Sequence, residues 1–110
     1  MVMGKFWYNL YNESQKNCLI SIINKIGSFA YSDQRMLYNW ESFNYSNDIY
    51  TYYITLYNNN VRYVKYDNNG DVETSLDINY SSVTTLIDLL EIEFKYHIRK
   101  LKIENMLNNE

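Results

Sequence analysis

Few side chains in this sequence are reactive enough to suggest catalysis. His97 and Cys18 are the single histidine and the single cysteine. One of each is too few for a zinc site, and a nucleophilic Cys–His pair would need the two in contact. There is no G-x-S-x-G turn, Walker loop or G-x-G-x-x-G fingerprint. We expect a structural role for His97, a core position for Cys18, no enzymatic activity, and no cofactor or metal.

Tyrosines offer a different chemistry, the binding of another macromolecule. Three of the thirteen, Tyr53, Tyr57 and Tyr63, are predicted to point outward from a sheet. A tyrosine supplies contact area and a hydroxyl at low entropic cost, which suits protein binding, and its ring can also stack on unpaired bases. The alternatives are that another layer covers these rings, or that they reflect an AT-rich genome. Residue types with AT-rich codons make up half of the chain.

Carboxylates follow the tyrosines in the sequence. Asp71 and Glu73, with Asp67 and Asp77, make the segment acidic and could contact a basic partner. A solvated strand face is the alternative interpretation. The spacing lacks the glutamate that closes a twelve-residue calcium loop.

A basic stripe near the C-terminus is the candidate for nucleic-acid binding. Lys95, Arg99 and Lys102 are spaced i, i+4 and i+7, which places them on one helix face that could contact phosphates. Asp88 and Glu91 precede them, an order that the helix dipole also favours. The net charge of −3 is far from the basic balance of most nucleic-acid binders. Nucleic-acid binding is therefore the alternative function.

Two helices are predicted to flank the segment that holds these candidates. The first spans 13–26, with Asn12 as its N-cap and Gly27 as its left-handed end, and a short strand at 5–10 precedes it. The last begins at Ser81 or Ser82 and runs to about 106. Its main apolar stripe comprises Val83, Ile87, Leu90, Phe94, Ile98 and Leu101, widened by Leu86, Leu89, Ile92, Tyr96 and Ile103. So broad a stripe suggests packing on the sheet and also a second contact, such as a homodimer.

Hairpins are predicted between the helices, after a strand at about 35–45. "DNNG" at 67–70 indicates a type I turn with Gly70 left-handed, which pairs Lys65 with Glu73. A three-residue loop at 58–60 pairs Tyr52 with Tyr66. This register places Tyr50, Tyr52, Ile54, Leu56, Val64, Tyr66, Val72, Leu76 and Ile78 on the covered face. It places Tyr53, Tyr57, Tyr63, Lys65, Asp71, Glu73 and Ser75 on the other.

The predicted fold is a single α+β domain over 1–110, an antiparallel sheet of four to five strands with the N-terminal and the long C-terminal helix on one side. One cysteine and no apolar run that could target or span a membrane indicate a cytoplasmic protein. We expect a non-enzymatic module that binds another protein, such as a nucleic-acid-processing complex. In composition the chain resembles accessory proteins of phages and mobile elements, including anti-CRISPR inhibitors of host defence.

Overall fold

The computed structural model describes the backbone of residues 2–96 and 98–99 and the side chains of 11–96 and 98–99. The elements in chain order are α1 (Val2–Ile26), β1 (Ala30–Asp33), α2 (Arg35–Tyr38), β2 (Glu41–Ser46), β3 (Tyr50–Leu56), β4 (Asn60–Asp67), β5 (Val72–Asn79), a 3-10 turn (Tyr80–Ser82) and α3 (Val83–Glu93).

The five strands form one antiparallel meander in the order β1-β2-β3-β4-β5, and α1 and α3 pack on one side of it. This confirms the predicted α+β fold. The core between helices and sheet consists of Leu19, Ile23, Ile26, Phe43, Tyr52, Ile54, Leu56, Val61, Tyr63, Tyr80, Val83, Leu86, Leu90 and Phe94. We call the sheet face that contacts this core the inner face and the opposite face the outer face.

α1 is longer than predicted, and the strand expected at 5–10 is wrong because these residues are helical. Asn12 does not cap the helix; it lies within α1, and its side-chain amide donates to the carbonyl of Asn58, 3.4 Å away. The predicted end is confirmed, since Gly27 has a φ of +77° and its N–H donates to Ile23.

The strand expected at 35–45 is correct only in its second half. Asp33 accepts the N–H of Arg35 at 3.1 Å and also two guanidinium hydrogen bonds, which stabilises the turn that becomes α2. Asn39 then adopts a φ of +60°, and β2 begins at Glu41. β1, which precedes this turn, was not predicted.

The loop between β3 and β4 is one residue shorter than predicted. The N–H of Tyr57 donates to the carbonyl of Asn60 at 2.9 Å, which leaves Asn58 and Asn59 as the loop. Tyr52 therefore pairs with Lys65 and not with Tyr66. Because side chains alternate along a strand, this shift of one residue exchanges the buried and the outward-facing side chains of β4. Val61, Tyr63 and Lys65 lie on the inner face, and Arg62, Val64 and Tyr66 lie on the outer face.

The turn between β4 and β5 is confirmed, with Gly70 at a φ of +85°. Across this turn, Tyr66 pairs with Val72. A β-bulge then shifts the register, so that Lys65 pairs with Thr74 and not with Glu73.

α3 begins after Ser82, as predicted, and buries Val83, Leu86, Leu90 and Phe94. Helical backbone continues at 95–96 and 98–99, and the remainder of the predicted helix, with Leu101 and Ile103, lies outside the described residues. Ile92 and Tyr96 were expected to widen the buried stripe but are exposed. The proposed homodimer contact through this face remains a prediction.

Candidate protein-binding surface

The outer face of the sheet is the surface that the sequence assigned to binding. The helices α1 and α3 pack on the inner face, and most outward-facing positions on the central and last strands are polar or aromatic. They comprise Thr51, Tyr53 and Thr55 on β3, Arg62, Val64 and Tyr66 on β4, and Ser75 and Asp77 on β5. Among the described residues of this face, Tyr53, Arg62, Ser75 and Asp77 are exposed, whereas Val64 is only 6 % exposed.

Two tyrosines on this face form an aromatic pair. Tyr53 and Tyr66 have ring centroids 5.8 Å apart and ring planes at 84°, an edge-to-face contact. They border an open depression of about 690 Å³. We call it the tyrosine depression, and its lining residues are Asn47, Thr51, Tyr53, Tyr66, Asp67, Asn68 and Gly70.

Two turns hold the rim of the tyrosine depression through side-chain to backbone hydrogen bonds. Asn47 Oδ1 accepts the N–H groups of Ile49 and Tyr50, both at 2.8 Å. Asp67 Oδ1 accepts the N–H groups of Asn69 and Asp71, at 2.9 and 3.0 Å. Such local bonds are the reason that Asn and Asp suit turns, and here they fix a carboxylate at the edge of the aromatic pair.

The three predicted binding tyrosines have different environments. Tyr53 is 43 % exposed and lines the tyrosine depression. Tyr57 is half-buried in the loop at the opposite end of β3, where its carbonyl accepts the hydroxyl of Tyr80. Tyr63 is fully buried in the core, so its predicted outward position is wrong, and Tyr66 occupies the outer face instead of the predicted core. The shorter loop before β4 is the reason for this exchange.

The two predicted acidic contacts lie at the β4–β5 end of the sheet. Asp71 is exposed in the turn. Glu73 is exposed at the bulge, and its Oε1 lies 3.7 Å from Lys65 Nζ. The expected Lys65–Glu73 ion pair is therefore present, although Lys65 lies on the inner face and not on the outer face.

Lys65 belongs to a buried polar cluster between β3, β4 and α3. Its Nζ lies 2.7 Å from Glu93 Oε1 and 3.9 Å from the ring centroid of Tyr50. The hydroxyl of Tyr52 donates to the same Glu93 oxygen at 2.8 Å. Burial alone would lower the pKa of Lys65, but the hydrogen bond to Glu93 and the nearby carboxylates outweigh it and raise that pKa. Burial likewise opposes the charge of Glu93, yet its two donors lower its pKa.

The other predicted sites are only partly described. Lys95 and Arg99 are exposed, and Lys102 and His97 lie outside the described residues. Cys18 is exposed on α1, so its expected core position is wrong.

A second exposed patch, which was not predicted, lies on α2. Met36, Leu37 and Tyr38 are 98 %, 76 % and 62 % exposed. Tyr38 stacks on Trp40 with ring centroids 5.8 Å apart. Nearby, the hydroxyl of Tyr31 donates to Glu41 at 2.7 Å, and this bond, with burial and the carboxylate charges, raises the pKa of Tyr31 to about 12. The sequence signal for this patch was the run "RMLY", which holds three large apolar side chains between polar residues. No predicted strand pairing or helix covers these side chains.

Comparison with protein-family models, curated proteins and solved structures gives no match. Within the described part of the chain, no group of three or more His, Cys, Asp or Glu side chains could hold a metal ion. Among the same residues, no helix combines the length and the apolar character needed to cross a membrane.

Proposed function

We propose that this chain is a non-enzymatic module that binds another protein through the outer face of its sheet and acts by occupying a surface of that partner. The observation that carries the proposal is the tyrosine depression. It combines two partly exposed aromatic rings with hydrogen-bonding side chains on turns held by internal bonds. Tyrosine is enriched in protein interfaces, and tyrosine with asparagine and glycine is enriched in the binding loops of antibodies.

A basic partner fits this surface best. Asp67 lines the tyrosine depression and Asp71 lies beside it in the same turn, and the whole chain carries a net charge of −3. Complementary charge speeds encounter and orients the partner. A nucleic-acid-processing complex has basic surfaces of this kind, and inhibitors of host defence that compete with nucleic acid are the class of protein that the composition resembles.

The alternative function, nucleic-acid binding, keeps one supporting observation. Lys95 and Arg99 are both exposed, as a phosphate-binding stripe requires. It predicts an affinity that falls steeply with added salt.

An affinity pull-down from a lysate of the source organism tests the proposal, with nuclease-treated samples at low and high salt. The test variant is Tyr53→Ala with Tyr66→Ala. The matched control is Met36→Ala with Leu37→Ala, which removes exposed apolar side chains from α2 instead. A third variant, Lys95→Ala with Arg99→Ala, tests the basic stripe. All variants are first compared by melting temperature.

We expect one nuclease-resistant protein at near-equal stoichiometry that is lost from the tyrosine variant and retained by the other two. Loss from the α2 variant alone would place the contact on α2 and contradict the outer-face proposal. Recovery of nucleic acid that depends on low salt and on Lys95 and Arg99 would establish the alternative function.

A further inference from the structure

Given the protein-binding role proposed above, on which this step rests, we propose that the tyrosine depression receives an arginine side chain of the partner. The two rings of Tyr53 and Tyr66 and the carboxylate of Asp67 line one depression. An aromatic face attracts a cation through its quadrupole, and a carboxylate pairs with the same cation by charge-assisted hydrogen bonds. None of the seven lining residues is a lysine or arginine.

The inner face of the same sheet shows this chemistry within the chain. There Lys65 Nζ lies 3.9 Å from the ring centroid of Tyr50 and 5.7 Å from that of Tyr52, and 2.7 Å from a Glu93 oxygen. Two tyrosine rings and a carboxylate thus hold one cation. The tyrosine depression offers the same set of groups on the outer face.

The carboxylate in the depression is restrained by its own turn. The two hydrogen bonds that this carboxylate accepts from the turn, those from Asn69 and Asp71, both use Oδ1. They do not use Oδ2, which is the oxygen that we assign to a guanidinium. A fixed acceptor loses little conformational entropy when the ligand binds.

Arginine fits this depression better than lysine because the depression is open to water. Lys65 on the inner face has a side chain only 10 % exposed, so its ammonium is largely removed from solvent. An ammonium is strongly hydrated and gains little from a ring that leaves it in water. A guanidinium is more weakly hydrated and flat, and it can stack on a ring while donating to a carboxylate.

A titration of the full chain with three capped tripeptides tests this proposal, acetyl-Gly-Xaa-Gly-amide with arginine, lysine or citrulline at the centre. Citrulline has nearly the shape of arginine without its charge. NMR at low salt follows the ring resonances of Tyr53 and Tyr66. We expect the arginine peptide to shift both rings with a dissociation constant on the order of millimolar, the lysine peptide to bind about threefold more weakly and the citrulline peptide about tenfold more weakly.

Three variants separate charge, ring and hydroxyl. Asp67→Asn keeps an Oδ1 acceptor for the turn, and we expect roughly fivefold weaker binding of the arginine peptide without an effect on the citrulline peptide. Tyr53→Phe keeps the ring and should stay within about twofold of wild type, whereas Tyr53→Leu should lose about threefold.

Equal binding of arginine and citrulline peptides, shifts confined to other residues, or no shift with the arginine peptide would each overturn the arginine site. The two proposals fail separately. A partner that is lost from the Tyr53→Ala, Tyr66→Ala variant while the arginine peptide fails to bind would refute the arginine site alone. If the arginine peptide binds as expected but the Tyr53→Ala, Tyr66→Ala variant still recovers the partner, only the outer-face function is refuted.

Discussion

At the scale of single residues, Lys65 shows how partners determine where a charge can lie. Its side chain is 10 % exposed, beneath α3, with Glu93, Glu73 and the ring of Tyr50 around it. Lys65 and Glu93 form the shortest of these ion pairs, at 2.7 Å. Removing either residue leaves the other charge partly buried without its partner, whereas removing both avoids that cost.

Substitution of Lys65 should therefore destabilise the protein more than substitution of the pair. We expect Lys65→Met to lower the free energy of unfolding by about 2 kcal/mol, less than for a fully buried pair because Glu93 is 28 % exposed. The double variant Lys65→Met with Glu93→Leu should lie within about 1 kcal/mol of wild type. Urea denaturation measures both. Equal losses in the single and double variants would show that the ion pair is not what stabilises this position.

The same pair predicts how stability depends on pH. The pKa of Glu93 is lowered on folding, so its contribution is complete above the ordinary glutamate pKa of 4.5 and is lost as pH falls through the lowered value. The pKa of Lys65 is raised, so its contribution is complete below the ordinary lysine pKa of 10.5 and is lost as pH rises through the raised value.

Urea midpoints measured from pH 7 down to roughly pH 3 should fall for wild type and fall less steeply for Glu93→Gln, which has no charge to lose there. Some dependence should remain, because Arg35 lowers the pKa of Asp33 to about 2 by hydrogen bonding. If the urea midpoints of the two proteins fall equally with pH, carboxylates other than Glu93 are responsible for the loss of stability in acid.

At the scale of elements, the two left-handed glycines were more reliable signals than the N-cap candidate Asn12. Gly27 and Gly70 occupy the left-handed region as expected, because a side chain at a positive φ is strained and glycine is not. The start of α1 was misplaced since Asn12, a good N-cap residue, instead reaches Asn58 on a distant loop. A side chain that can cap a helix can equally serve a tertiary contact.

Gly70 gives the prediction for the β4–β5 turn. No atom lies within 4 Å of a Cβ built at Gly70, so Gly70→Ala should cost about 1 kcal/mol through its φ of +85° alone. Gly70→Asn should cost less, because asparagine tolerates this region better. Asn69→Ala is the matched control and should change stability by less than about 0.5 kcal/mol. Thermal denaturation of the three variants is the measurement, and an unchanged Gly70→Ala protein would contradict the turn geometry.

At the scale of the whole molecule, the two faces of the sheet place their tyrosines in different environments. In the core between the sheet and the helices, burial raises the pKa values of Tyr52, Tyr63 and Tyr80, so these phenols stay neutral. On the outer face, Tyr53 is 43 % exposed, Tyr66 is half-buried, and the two rings contact each other edge to face. These tyrosines therefore fall into two groups, buried phenols in the core and partly exposed rings that we propose as a binding surface.

Alanine substitutions on the two faces should have very different effects. Tyr63→Ala removes a fully buried ring and should cost about 3–5 kcal/mol, whereas Tyr53→Ala should cost about 1 kcal/mol or less. Melting temperatures or urea midpoints measure both. Comparable losses at the two positions would mean that the register of β3 and β4 is not the one described.

The sequence by itself determined the α+β class, the end of α1, the start of α3 and the β4–β5 turn, because apolar spacing and left-handed glycines act over a few neighbouring residues. It could not determine which face of β4 is buried. Each side of that strand offers one tyrosine, one valine and one basic residue: Val61, Tyr63 and Lys65 on one, Arg62, Val64 and Tyr66 on the other.

Only the tertiary structure decided between these two sides. The two-residue loop and the burial of Lys65 against Glu93 and Tyr50 place Tyr63 in the core. The same choice brings Tyr66 beside Tyr53 and so creates the tyrosine depression. The candidate site therefore depends on the register between β3 and β4, because a shift of one residue exchanges the two faces of a strand. Long-range packing determines that register.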